Sequence, residues 1–353
     1  MTDRVQTQGR RALHGVNLAG WLTLESWVTP ELFADTGTLE EDELVRAMSE
    51  VEYRRLVTTH RKRFITRQDF ERIAARGLNA VRIEVPWYVF GGKGPKADGR
   101  VGCIEQVDAA FDWAGECGIG VLLAVIPDAE LVHMAEMSSV GPVAERRRGS
   151  LLRVTAALAK RYAADDAFVG IELGGEPRMS RWRLLGSTDG VAAHVLRNYY
   201  REAYSLIRRV AGTGPVVVIP DAGAPDEWHH FMAHDRYENV WLDCPLYRVA
   251  ARSNAPATSG IRDVMRGIDR ELEQARKSEL PIMVGKWSAG LPFVDTLMTP
   301  EGRVALERLF VSQQLSRYER CQAWFFQSWK TSERLSAWDA RVALASFEKD
   351  LLD

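Results

Sequence analysis

Eight short apolar or β-branched runs recur along the chain, each followed by a longer charged and amphipathic stretch, and this alternation constrains the fold more than any other feature. The runs are "RALHGVNLAG", "NAVRIEV", "GVLLAVIPD", "FVGIELGGEP", "PVVVIPDAG", "NVWLDCPLY", "PIMVGKWS" and "QAWFFQSWK". Between them lie helical segments such as "EQVDAAFDWAGECG", "LLRVTAALAKRYA" and "TRQDFERIAARG", the last with Thr66 as N-cap and Gly77 as its stop. Eight such units in 353 residues predict an α/β protein made of a single (β/α)8 TIM barrel over residues 1–353, with its chemistry at the carboxyl ends of the strands. Residues 33–62 read as an insertion after the first strand, and "AARSNAPATSG" (Ala250 to Gly260) as a loop after the sixth. A doubly wound sheet would need a glycine-rich phosphate loop after its first strand, which "NLAGW" does not supply.

Composition narrows the function. A 46% hydrophobic fraction is enough for a sizeable core, and a net charge of −2 with 27% charged residues gives no field that favours nucleic acid or an anionic membrane. No stretch approaches the roughly 20 apolar residues of a membrane span. "MTDRVQTQGRRALHG" has no apolar core of a secretory signal, and the four cysteines lack CxxC or Cys/His ligand spacing. The expectation is a soluble protein in a reducing, cytoplasmic setting, and an Ala- and Arg-rich composition suits a bacterium. With no nucleotide, metal or flavin motif in view, no cofactor is expected, and the partner is a small molecule or glycoside.

Strand ends carry the candidate site residues. "GIELGGEP" ends on Glu176, with Glu172 and Gly174 on the same face by alternation, and "AVRIEV" presents Arg82 and Glu84 on one face. Asp128, Asp221, Tyr247 and Lys286 end other runs. Asp128 and Asp221 suit either loop capping or a pocket. Trp21, Trp87, Trp287 and Trp329 neighbour strand ends and are candidate pocket liners, whereas His133, His229, His230 and His234 sit in loops or helices without metal spacing.

"HGVNLAGWLTLESWVTPELF", "HRKRFITRQDFERIAARGLNAVRIEV", "VGIELGGEP", "NYYREAYSLIR", "VGKWSAGL" and "FFQSWKT" occur in this order, and together they resemble the exo-β-1,3-glucanase branch of glycoside hydrolase family 5. The resemblance covers about His14 to Trp338. It implies a (β/α)8 barrel of retaining β-glycosidases, in which two glutamates roughly 5–5.5 Å apart serve as acid/base and nucleophile. The family's Asn-Glu-Pro motif falls on Gly175-Glu176-Pro177, so the acid/base matches Glu176. Its Gly-Glu-Trp-Ser motif falls on Gly285-Lys286-Trp287-Ser288, so a lysine stands where the nucleophile is expected. Further departures follow: a histidine after the third strand falls on Ile126, a His-His-Tyr segment on Pro245-Leu246-Tyr247, and a subsite tryptophan on Gln327. Arg82, Tyr247 and Trp329 match, and Glu84 falls where proline is usual.

A lysine cannot form the covalent glycosyl ester, so the resemblance implies that retaining hydrolysis is lost. Lys286 then has two readings: an ion pair to Glu176, or an amine of depressed pKa acting as a base or Schiff-base nucleophile. Glu84 pairs with Arg82 or serves as a new pocket acid. The expected site is Glu176, Lys286, Arg82 and Tyr247 for catalysis, with Glu84, Asp128, Trp287, Gln327 and Trp329 contacting substrate. The protein is expected to be a repurposed enzyme acting on a sugar-like or polar cyclic metabolite with Glu176 as general acid/base. The alternatives are a non-catalytic carbohydrate-binding pseudoenzyme, and a weak or inverting hydrolase using Asp128, Asp221 or Glu84 as base.

Overall fold

The computed structural model describes residues 11–91, 99–127, 142–180, 182–183, 186–187, 190–247, 257–291, 299–345 and 347. Asp128, His133 and residues 250–256 of the loop expected after the sixth strand lie outside that set. Eight parallel strands close a barrel: β1 (Leu13–Asn17), β2 (Ala80–Pro86), β3 (Gly120–Ile126), β4 (Phe168–Leu173), β5 (Val216–Pro220), β6 (Val240–Asp243), β7 (Ile282–Trp287) and β8 (Ala323–Phe326). β1 pairs with both β2 and β8, which closes the ring, and each run expected from the sequence carries one strand. The fold is the expected (β/α)8 barrel.

The stretch expected as an insertion carries α1 (Glu41–Ala47) and most of α2 (Glu50–Arg63). Among the described residues the remaining α-helices are α3 (Arg67–Ala75), α4 (Ile104–Cys117), α5 (Pro142–Tyr162), α6 (Ala193–Ala211), α7 (Ala257–Arg276), α8 (Pro300–Tyr318) and the short α9 (Ala340–Ala343). Among the described residues no helix is long and apolar enough to cross a membrane.

Strand alternation sorts side chains into two cores. Val81, Ile83 and Val85 of β2 face outward onto helical residues such as Phe70, Ile73 and Phe111, while Ala80, Leu122, Val218, Trp241, Met283 and Phe325 fill the floor of the barrel. Each fully buried aliphatic or aromatic side chain contributes roughly 1.5–3 kcal/mol. Above that floor the inward positions turn polar: Asn17, Arg82, Glu84, Glu172 and Asp243 are all buried.

One irregularity re-aims the chain at this level. Between β7 and β8, Val284 pairs with Trp324 but Trp287 pairs with Phe326, so the register steps by one residue and Gly285 and Lys286 together oppose Phe325. Such a bulge turns a side chain to the other face of its strand. Lys286 therefore points into the barrel, and Trp287 points out.

The start of α3 ties the helical layer to the end of β8. Thr66 is the N-cap, and the Asp69 carboxylate accepts the Thr66 backbone N–H at 3.0 Å, Trp329 Nε1 at 2.9 Å and Lys330 Nζ at 2.9 Å. Burial works against the Asp69 charge, but these donors hold its pKa below the usual 3.8. Its stabilising contribution is therefore present above pH 3.8 and disappears as pH falls through the lower folded value. Asp69→Ala should lower the unfolding free energy at neutral pH by about 3 kcal/mol. A urea denaturation curve would read this as a lower midpoint at unchanged slope; an unmoved midpoint would show that Trp329 and Lys330 find other partners.

Candidate active site

The site is built on one buried guanidinium. Arg82, fully buried on β2, donates from Nε and Nη2 to the two carboxylate oxygens of Glu172 at 2.7 Å each, and from Nη1 to Asn17 Oδ1 at 2.8 Å and Glu84 Oε1 at 3.0 Å. Bidentate pairing of this kind uses the planar fork that lysine lacks. Burial disfavours the charge, yet Glu172 and then Glu84 keep the Arg82 pKa well above its usual value. Glu84 and Glu172 are register partners across Ala124 of β3, whose methyl leaves room between them.

Asn17 passes this order to β7. Its Nδ2 donates to the Gly285 carbonyl at 2.9 Å, while the Gly285 N–H donates to Asp243 Oδ1 at 2.6 Å. A Cβ at position 285 would fall 2.4 Å from the same Asp243 oxygen, so only glycine fits beside that carboxyl. Burial, reinforced by Glu172, pushes the Asp243 pKa well above the usual range.

With Gly285 clamped on both sides, the Lys286 ammonium lies 2.7 Å from Glu84 Oε1 and 2.9 Å from Glu176 Oε1. Tyr247 Oη donates to Glu176 Oε2 at 2.8 Å. Glu176 reaches this point through Gly174 and Gly175, both at positive φ (82° and 63°), and a Cβ at Gly175 would meet Ile126 Cδ1 at 2.9 Å. A small residue at 175 and the isoleucine at 126 therefore fit each other.

The charges follow from these distances. Burial would lower the Lys286 pKa, but Glu176 and Glu84 outweigh it and hold the amine well above 10.5. The reading of Lys286 as an amine of depressed pKa does not hold, because two carboxylates within 3 Å stabilise the ammonium. Burial alone would raise Glu84, yet Lys286 and then Arg82 pull it down to about 2. Glu176 is likewise held below its usual value, against burial, by Lys286 and by the Tyr247 hydroxyl. Glu176 is thus a carboxylate at neutral pH, prepared as a base.

Other expected residues land elsewhere. Trp287, expected in the pocket, is buried between barrel and helices, edge-on to Tyr318, Trp324 and Phe326, because the bulge turns it outward. Trp329, also expected in the pocket, is buried against α3, with its indole bonded to Asp69 and Arg76 over its ring. Trp21 is buried with Nε1 bonded to the Arg61 carbonyl. Trp87, half-buried after β2, carries Arg100 over its ring. Gln327, at the end of β8, is buried, and its Oε1 has no hydrogen-bond partner among the described residues. Asp221 shapes its own loop, accepting the Gly223 N–H at 2.9 Å. His229, His230 and His234 are exposed.

One pocket acid is absent from the expected set. Glu25, in the loop after β1, accepts the Gly20 N–H at 2.9 Å and Trp27 Nε1 at 2.8 Å. Burial and the neighbouring Glu84 charge raise its pKa to about 7, with Lys286 acting in the opposite direction. The sequence signal was a carboxylate between two tryptophans directly after the first strand. Among the described residues no group of three or more His, Cys, Asp or Glu side chains is arranged to hold a metal.

The family model for cellulase (glycosyl hydrolase family 5) matches residues 45–290, well over half of the chain. The chain is 26% identical to a probable glucan 1,3-beta-glucosidase A of Aspergillus fumigatus, over 95% of this chain and 86% of that protein. It is 28% identical to a glucan 1,3-beta-glucosidase of Blumeria graminis, over 90% of this chain and 82% of that protein. Among solved structures, rutinosidase from Aspergillus niger superposes with a TM-score of 0.75 at 14% identity, covering 97% of this chain and 98% of that one. Endoglucanase Cel5A from Thermotoga maritima superposes with a TM-score of 0.60 at 14% identity, with 97% of each chain covered. At those identities the two structures speak for the fold alone.

Removing the ammonium would leave Glu84 and Glu176 facing each other without a counter-charge. Lys286→Met should move the Glu176 pKa from below its ordinary value to above it, read by carboxyl 13C titration and assigned with Glu176→Gln. The same change should cost about 3 kcal/mol of stability at neutral pH. An unmoved Glu176 titration would show that Tyr247, and not Lys286, sets its charge.

Proposed function

The chain belongs to glycosyl hydrolase family 5, and on that premise we propose that its barrel has kept a site for a sugar-like or polar cyclic metabolite but does not carry out retaining hydrolysis. In this reading Lys286 occupies the nucleophile's position, and the protein is a non-hydrolytic enzyme in which the Glu176 carboxylate acts as the base. The observation that carries it is the Lys286 ammonium 2.9 Å from Glu176, inside the gap of roughly 5–5.5 Å that separates the two carboxyls of a retaining pair. An ammonium there forms no glycosyl ester, repels the positive charge that develops on the sugar ring, and strips Glu176 of the raised pKa that a general acid needs at neutral pH.

Enzymatic use is favoured over simple loss because the replacement is costly. A largely enclosed ammonium, Lys286, and an additional buried carboxylate, Glu84, each carry a desolvation penalty that an apolar residue would avoid. The Tyr247 to Glu176 hydrogen bond, which orients the base, is intact. Inverting hydrolysis has less support: Glu84 is held by Arg82 and Lys286, and Asp221 by its own loop. A non-catalytic carbohydrate-binding role is the second reading, favoured by the engagement of both Glu176 oxygens. A cytoplasmic setting belongs to the same proposal, and the free thiols of all four cysteines suit it.

Calorimetric titration with laminaribiose and with p-nitrophenyl β-glucoside, the same samples being assayed for glucose and nitrophenol, tests the proposal. The expected result is saturable binding without product. Turnover of either compound would overturn the loss of hydrolysis, and no binding of either would take the ligand away from glucosides.

A further inference from the structure

Six side chains at the carboxyl end of the barrel are joined by five contacts that run in a row. Glu25 accepts Trp27 Nε1 at 2.8 Å; Trp27 stands edge-on to Trp338 with ring centres 5.5 Å apart; Trp338 stands edge-on to Tyr247 at 6.3 Å. Tyr247 donates to Glu176, and Glu176 pairs with Lys286. All six are partly open to solvent, and Trp27 is 37% exposed, high for an indole whose N–H is already bonded. Beneath them Arg82, Glu84 and Gln327 are buried. The row is therefore a solvent-facing rim on a polar floor.

The charge on this rim and floor is unbalanced. Arg82 is neutralised by Glu172 at two 2.7 Å contacts, and the rim's cation, Lys286, is shared between Glu84 and Glu176. Among the described residues of this rim and floor one negative charge is left over before Glu25 is counted, and Glu25 adds a second when it ionises, near neutral pH. A neutral ligand would leave that surplus desolvated, and an anionic one would add to it. A cation would cancel it, and faces of Trp and Tyr attract cations through the ring quadrupole.

We propose that this rim receives a protonated amine of a sugar-like ligand, with the Glu25 carboxylate as counter-ion and Trp27 and Trp338 as aromatic walls. The inference rests on the reading of the barrel as a site for sugar-like metabolites and adds the class, amino sugars or aminocyclitols. Glu25 suits the task because both its oxygens are fixed by the Gly20 N–H and the Trp27 indole, so little side-chain freedom is lost on binding. An ammonium beside it also favours its ionised form.

The test is calorimetry at pH 7 with methyl β-glucoside, methyl 2-amino-2-deoxy-β-glucoside and methyl 6-amino-6-deoxy-β-glucoside, the N-acetyl derivatives serving as uncharged controls of size. At least one amine should bind about tenfold more tightly than the neutral glucoside. That gain should vanish on N-acetylation and in Glu25→Gln, whose fold is checked by its thermal transition. Amines that bind no better than methyl β-glucoside would overturn the inference while leaving the sugar-site reading intact. An advantage that survives in Glu25→Gln would overturn the counter-ion assignment. If laminaribiose and all of the glycosides fail to bind, the sugar-site reading falls, and this inference with it.

Discussion

A guanidinium with no exposed surface sits in the barrel of this protein, and the upper half of the interior is arranged to satisfy it. An uncompensated charge at that depth would cost more than most single packing contacts contribute. Arg82 therefore requires Glu172 in bidentate register, Glu84 two residues along its own strand, and the amide of Asn17. Asn17 in turn fixes the Gly285 carbonyl, and Gly285 sets the approach of Lys286. The position of the pocket lysine is thus a consequence of how a deeper cation is held.

The titration order of the pocket follows from that arrangement. Two facing carboxylates push each other's pKa values apart and create an acid and a base; an ammonium between them keeps both ionised. Glu84 and Glu176 are accordingly held low by Lys286, whereas Glu25, bonded to the neutral Gly20 N–H and Trp27 indole, is raised to about 7 by burial and by the Glu84 charge. The acid that titrates near neutrality sits on the loop after β1, away from the strand end that carries Glu176.

Much of this is legible in the sequence. Eight apolar runs at barrel spacing became eight strands, and Arg82, Glu84, Glu176, Tyr247 and Lys286 do converge at the strand ends. Trp287 and Trp329 lie away from the pocket for different physical reasons. A one-residue register step reverses the alternation on which the reading of Trp287 depended. Trp329 was drawn off by a carboxylate on α3, Asp69, more than two hundred residues away in the chain. Glu25 escaped notice because a lone glutamate in a loop carries no periodic signal; its environment comes from Gly20, Trp27 and Glu84 converging in space.

The sequence by itself determined the barrel and the residue types at its mouth, because hydrophobic periodicity and strand ends are local properties of the chain. The tertiary structure alone decided which charges meet. Whether Lys286 is a free amine or a bridged ammonium depends on distances of 2.7 and 2.9 Å to residues on two other strand ends. Coulomb energy and desolvation vary with distance and burial in space, and neither can be read from order along the chain.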